Sequence, residues 1–136
     1  MKPSLKAALC MTALCIAALS PVLSVSLPQF TLHQPDLFRD GSALTNAVAD
    51  FDNDGDLDIF VGFNNKPSRL YRNDRGTFTE VGREVGLDAV GAIRTSSWGD
   101  YDGDGHVDLF IASVAGNTTW GRLYRNEGSG ARFTDA

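Results

Sequence analysis

The pattern Asp-x-Asp-x-Asp-Gly-x-x-Asp occurs twice in the chain, at Asp50, Asp52, Asp54, Gly55 and Asp58 and again at Asp100, Asp102, Asp104, Gly105 and Asp108. Carboxylates at positions 1, 3 and 5 of such a loop can all turn inward around one hard cation, and Gly at position 6 permits the sharp turn that closes it. Position 7, Asp56 or His106, adds a main-chain carbonyl, and position 9, Asp58 or Asp108, closes the shell from the start of the next strand. Every donor is an oxygen, so Ca2+ is the expected cofactor, and these ten residues are the expected metal positions. Four carboxylates held ~4 Å apart repel by roughly 4 kcal/mol per pair at an effective dielectric near 20, so the empty loop is expected to be strained. Asp and Gly also favour ligand-free surface turns, but turn preference sets no such register twice over. Acid-base catalysis needs carboxylates whose pKa values are pushed apart, which a cluster of four defeats. No catalytic residue is assigned, and the chain is not expected to be an enzyme.

The segments downstream of the loops exclude an EF-hand. That motif places a bidentate Glu at position 12 between two helices. Here position 12 is Val61 or Ile111, and the segments Leu57–Val61 and Val107–Ile111 are short, apolar and bounded by Gly and Asn, as strands are. The repeat continues: Arg69-Leu70-Tyr71-Arg72-Asn73 is matched by Arg122-Leu123-Tyr124-Arg125-Asn126, and Phe78-Thr79-Glu80 by Phe133-Thr134-Asp135. Small insertions near Asn117 and Ser129 account for the drift in offset, and they fall among turn residues. Strands are expected near Thr45–Ala49, Leu57–Phe63, Arg69–Arg72 and Thr77–Val81, then near Arg94–Trp98, Val107–Val114, Arg122–Arg125 and Arg132–Thr134. Four short antiparallel strands per repeat describe a propeller blade. Leu57–Phe63 is apolar at nearly every position except Asp58, as expected of a sheet covered on both faces. The Leu70-Tyr71 and Leu123-Tyr124 pairs are expected to pack between blades, each phenol with a polar partner.

These loops, with Trp98-Gly99-Asp100-Tyr101, the Arg-Leu-Tyr-Arg-Asn strands and Phe78–Val81 leading to Glu84–Leu87, resemble FG-GAP/VCBS repeats. They are most similar to the repeats of ASPIC/UnbV and cartilage-acidic-protein-like secreted proteins, over roughly Phe30 to Ala136. The resemblance implies an all-β fold of the integrin α-type β-propeller, with calcium as a structural ion in the blade loops. Two partial blades are expected, and the ring is not closed by this chain. The division is a leader over 1–26, an outer strand of a preceding blade with a linker over 27–44, repeat 1 over 45–91, and repeat 2 over 92–136. The second repeat stops at Asp135-Ala136, where the first runs on through Val81 and Leu87, so it reads as truncated. No counterpart of the C-terminal ASPIC/UnbV domain is seen.

Residues 1–26 read as a secretory signal: Lys2 and Lys6 precede an uncharged apolar run from Ala7 to Leu19. An uncleaved anchor is the alternative, with Pro21 interrupting it. Otherwise no membrane association is expected, and the location is extracellular or periplasmic. Cys10 and Cys15 both lie in the leader, so stability must come from packing and metal. Of 12 Lys and Arg, two are in the leader, leaving ten against 17 acids and a net charge of −7. Nine of those acids lie in the two loops, so acidity belongs to the metal sites. The Arg residues are dispersed, which argues against nucleic acid, and Arg72 and Arg125 are expected to pair with nearby acids. His33 and His106 form no zinc pattern.

The expected function is that of a secreted calcium-binding propeller module whose surface binds an extracellular protein or glycan. Specificity would lie in the connecting loops Asn64–Ser68 and Ala115–Trp120. Alternatives are an accessory portion of a larger secreted enzyme and a nonfunctional remnant. Closed propellers use about four to eight blades, so the two outer faces should remain apolar, and either marginal stability alone or association with further blades from another chain is expected.

Overall fold

The structure is a computed structural model and describes Leu27 and residues 29–115 and 117–136. The leader expected over 1–26, with its two cysteines, lies outside the described residues. Leu32–Ala136 forms one compact unit. Within it the chain makes eight strands: β1 (Ala43–Ala49), β2 (Asp58–Pro67), β3 (Arg69–Asp74), β4 (Thr77–Glu80), β5 (Val90–Gly99), β6 (Asp108–Ala115), β7 (Thr118–Asn126) and β8 (Phe133–Asp135). All pairings are antiparallel: β1 to β4 pair as one four-stranded unit and β5 to β8 as another, and the end of β2 pairs with the start of β5, joining them in one eight-stranded sheet. These are two partial blades of a β-propeller, as the duplicated sequence predicts.

Register shows why the blades stack. Strand partners lie on one face of a sheet, so Ala47, Phe60 and Leu70 form a row on one face of the first blade. Val48, Ile59 and Tyr71 form a row on its other face. The second blade repeats this with Ser97, Phe110 and Leu123 on one face and Trp98, Leu109 and Tyr124 on the other. Phe60 and Leu70 meet Leu109, Tyr124 and Trp98 in a single core, completed by Phe51, Ile93, Ile111 and Phe133. Phe60 and Trp98 meet edge to face, with ring centroids 6.5 Å apart, an arrangement favoured by the aromatic quadrupole.

Several details differ from expectation. Phe30-Thr31 does not form the outer strand of a preceding blade: 29–42 contain no strand, and Phe30 is exposed. An outer strand needs a third strand to pair with, and the described chain offers none there. Residues 33–40 instead lie across the first blade. Gln34 exchanges hydrogen bonds with the main chain of Phe78, and Phe38 packs on Tyr71. The connecting segment Asn64–Ser68 is largely strand, because β2 runs on to Pro67 and its end pairs with the start of β5. Trp120 likewise sits on β7 rather than on a loop, packed against the core with the Arg122 guanidinium 5.1 Å from its ring centroid. A single helical turn, α1 (Gly82–Val85), stands where the repeat pattern places no element; it ends at Gly86 with φ 89°. Val81, Val85 and Leu87 around it are buried in the shared core.

The Leu-Tyr expectation of packing between blades holds for Tyr124, whereas Tyr71 is buried beneath Phe38 instead; both phenols have the expected polar partners. Tyr71 receives a hydrogen bond from Arg69 and donates to the Leu37 carbonyl, while Tyr124 receives one from Arg122. Leu70 is fully buried, but its counterpart Leu123 is only half-buried.

Candidate metal centres

Each acidic loop joins the first strand of its blade to the second, spanning Asp50–Asp58 between β1 and β2 and Asp100–Asp108 between β5 and β6. Gly55 and Gly105, at position 6, have φ of 96° and 89°. That left-handed conformation is open to Gly at little cost, which accounts for the residue the motif demands. The first carboxylate organises each turn. Asp50 accepts hydrogen bonds from the N–H groups of Asp54 and Gly55, both at 3.0 Å. Asp100 accepts from Gly103, Asp104 and Gly105 at 2.8, 3.2 and 2.9 Å. One carboxylate thus wraps the backbone about itself and holds its neighbours inward.

The last carboxylate ties the loop to the sheet. Asp58 accepts from the N–H groups of Phe51 (3.0 Å) and Asn73 (2.8 Å), and Asp108 accepts from those of Tyr101 (3.0 Å) and Asn126 (2.8 Å). Both carboxylates are buried, where an unpaired acceptor would be costly. Burial raises the Asp58 pKa to about 6; the hydrogen bonds from Asn73 and Phe51 oppose the rise, and the charges of Asp52 and Asp54 add to it.

Carboxylate oxygens of Asp50, Asp52 and Asp54 come within 4.8 Å of one another, as do those of Asp100, Asp102 and Asp108. Asp58 stands outside the first group and Asp104 outside the second. Asp56 uses one carboxylate oxygen to accept from the Arg75 N–H at 2.8 Å. The His106 ring turns to the first loop, with Nδ1 3.0 Å from the Asn53 amide nitrogen and 3.3 Å from the Ser129 N–H that donates to it. At both position-7 residues the side chain therefore has another partner.

Two matched centres differ in what neutralises them. In the second, Arg125 reaches Asp102 at 2.8 Å and Asp104 at 3.4 Å, with Glu127 at 3.6 Å. In the first, the counterpart Arg72 turns to Asp74 at 3.1 Å. Both arginines pair with acids, as expected, but only one enters its loop. Asp52 Oδ1 is consequently a buried acceptor without a partner. Burial, then the Asp54 charge, raise the Asp52 pKa; a hydrogen bond from Asp54 opposes them, and Asp50 adds to the rise. An orphaned carboxylate oxygen on a residue clustered with two other acids is an environment that a hard cation satisfies, so the donor set fits calcium.

Residues 50–111 match the FG-GAP-like repeat. The match begins at the first acid of the first loop and runs past the whole of the second, which supports an FG-GAP/VCBS repeat protein and a propeller-type module. No curated protein matches the chain.

The acidic motif picks out the candidate metal positions but not the residues that brace them. Asn126 is fully buried; its amide donates to the Phe51 and Val107 carbonyls, and its Oδ1 accepts from Gly128 and Gly130. It joins the two blades to the second loop. Asn73 does the same work within one blade, donating to Leu57 and accepting from Gly76. The signal is present in the duplicated Arg-Leu-Tyr-Arg-Asn, whose final Asn is the brace in both copies.

Proposed function

We propose that the protein is a secreted calcium-binding propeller module of the ASPIC/UnbV-like kind, in which calcium rigidifies the blade loops and the blade surface binds an extracellular protein or glycan. The observation that carries the metal reading is the pair of clustered carboxylate sets, one of which holds a buried acceptor with no partner. Asp50, Asp52, Asp54 and Asp58 would hold one ion and Asp100, Asp102, Asp104 and Asp108 the other, with main-chain oxygen from Asp56 and His106. Bound calcium would supply positive charge that cancels the repulsion within each loop. The residues themselves shape the turn, through Asp50 and Asp100, and anchor it to the sheet, through Asp58 and Asp108.

The reading is that of a binding module and not of an enzyme, since the titratable groups of the sites are acids shared out among loop closure and sheet anchoring. The apolar run behind Lys2 and Lys6, with both cysteines inside it, supports export. Calorimetric titration of the purified chain with calcium tests the metal reading: two sites are expected, one lost in Asp52→Ala and the other in Asp102→Ala. A titration without heat, or one unchanged by both substitutions, would overturn it.

A further inference from the structure

The interface inside this chain has two halves, and each half is present a second time without a partner. Inside, the Phe60 and Leu70 row of the first blade packs on the Trp98, Leu109 and Tyr124 row of the second. The halves that no blade covers are the Phe110 and Leu123 row of the second blade and the Val48 and Ile59 row of the first, where the third member, Tyr71, is buried beneath Phe38. Exposure records the difference: Phe60 is 1% exposed and its counterpart Phe110 is 42%. Val48, the counterpart of Trp98, is 52% exposed. Beside it, Leu44, Ile59, Val61 and Tyr71 line a groove of about 470 Å³, with Phe38 at its rim.

We infer that a second copy of this chain covers these faces, the Phe110 face of one copy seating in the Val48 groove of the next. The internal interface is the template. A linker lines each groove: Val81, Val85 and Leu87 the internal one, and Phe38 and Asp40 the open one, where Phe38 packs on both Tyr71 and Phe78. Phe133 packs on Phe51 inside the chain, with ring centroids 6.0 Å apart. The same pairing between copies brings Phe78 to Tyr101, which is 51% exposed. The central positions of both free rows, Phe110 and Leu123 against Val48 and Ile59, carry no charge, so closing them buries no unpaired ion.

The contact joins two different surfaces, so it is heterologous and repeats from copy to copy until a ring closes. Two, three or four copies supply the about four to eight blades that closed propellers use. The rows that meet lie on strands, with only Tyr101 of the second acidic loop at their edge, so a failed metal titration would not by itself remove the contact.

Light scattering coupled to size exclusion on the full chain is the test. The wild-type mass is expected at two to four times that of one chain. Phe110→Asp blocks one face and Val48→Asp the other, each at an exposed position where circular dichroism should report unchanged sheet. Neither variant alone should close a ring, yet mixing them should yield a one-to-one complex, because each keeps the face the other has lost. A wild-type monomer at every concentration would overturn the inference, as would a Phe110→Asp assembly of unaltered mass. Folded variants that fail to combine would overturn it too.

Discussion

Phe51 and Tyr101 hold position 2 of the same nine-residue motif, yet Phe51 is 1% exposed and Tyr101 is 51%. Their loops have the same turn, the same left-handed Gly and the same anchoring Asp. What differs is the neighbour. Phe51 faces Trp98 and Phe133 of the second blade, whereas Tyr101 faces solvent in the isolated chain. Arg125 enters the second loop, while Arg72 stays out of the first. Repetition of sequence therefore repeats local geometry faithfully and leaves energetics to whatever packs alongside.

The largest effect that separates the blades should come from the aromatic at position 2. Phe51→Ala is expected to destabilise by about 3–5 kcal/mol, the usual cost of emptying a buried Phe site. Tyr101→Ala should cost about 1 kcal/mol or less in the monomer, because little is buried there. Denaturant unfolding of both variants reads the contrast, and equal costs would break it.

Bracing by Asn comes next. Asn126→Ala removes the amide that serves Phe51 and Val107 inside the core and should cost about 2–3 kcal/mol, since buried partners are left unsatisfied. Asn73→Ala, at the half-buried counterpart, should cost about 1 kcal/mol. Hydrogen exchange at the Gly128 and Gly130 amides, which donate to Asn126, should accelerate in the first variant only.

A smaller contrast lies in the metal-free loops. Asp52→Asn removes a charge crowded by Asp50 and Asp54 and should stabilise the chain without calcium, measured as a higher melting temperature. Asp102→Asn takes away the partner of Arg125 and should not. Arg125→Gln should strengthen calcium binding at the second loop a few-fold, because the guanidinium competes for Asp102 and Asp104. Calorimetry on that variant, with the first site as internal control, checks this.

The last contrast is in pH. The folded-state pKa of Asp58, about 6, exceeds the ordinary 3.8, so the folded chain binds the proton more tightly than the unfolded chain does. By linkage, the contribution of Asp58 to metal-free stability is greatest below pH 3.8 and declines as pH rises toward about 6. Melting temperatures of metal-free protein across that window should fall relative to those of Asp58→Asn, which carries no titrating proton. Saturating calcium should reverse the trend, since metal favours the ionised acid.

Much of this architecture was legible in residues 43–136. Acids at alternate positions with Gly at the sixth specify a closed turn through local sterics and charge, and the apolar run after each loop specifies a strand through period and composition. The eight strands accordingly fall where the duplicated pattern places them, and the repeat offset marks the two blades. Phe30-Thr31 shows the limit of that logic. It has the composition of an outer strand, but a strand exists only where another offers its backbone, and none of the described residues does so there.

Tertiary structure decided the rest. Phe60 and Phe110 are the same residue in the same local setting, and only the second blade makes one of them core. Arg72 and Arg125 each come directly after Arg-Leu-Tyr, and only their surroundings send one into an acidic loop and the other to Asp74. Asn64–Pro67 has the composition of a connecting loop and becomes strand because β5 pairs with it. Backbone torsions and turn chemistry are short-range and can be read residue by residue, whereas burial, pairing and electrostatic partnership belong to residues far apart in the chain, brought together only when the two blades stack.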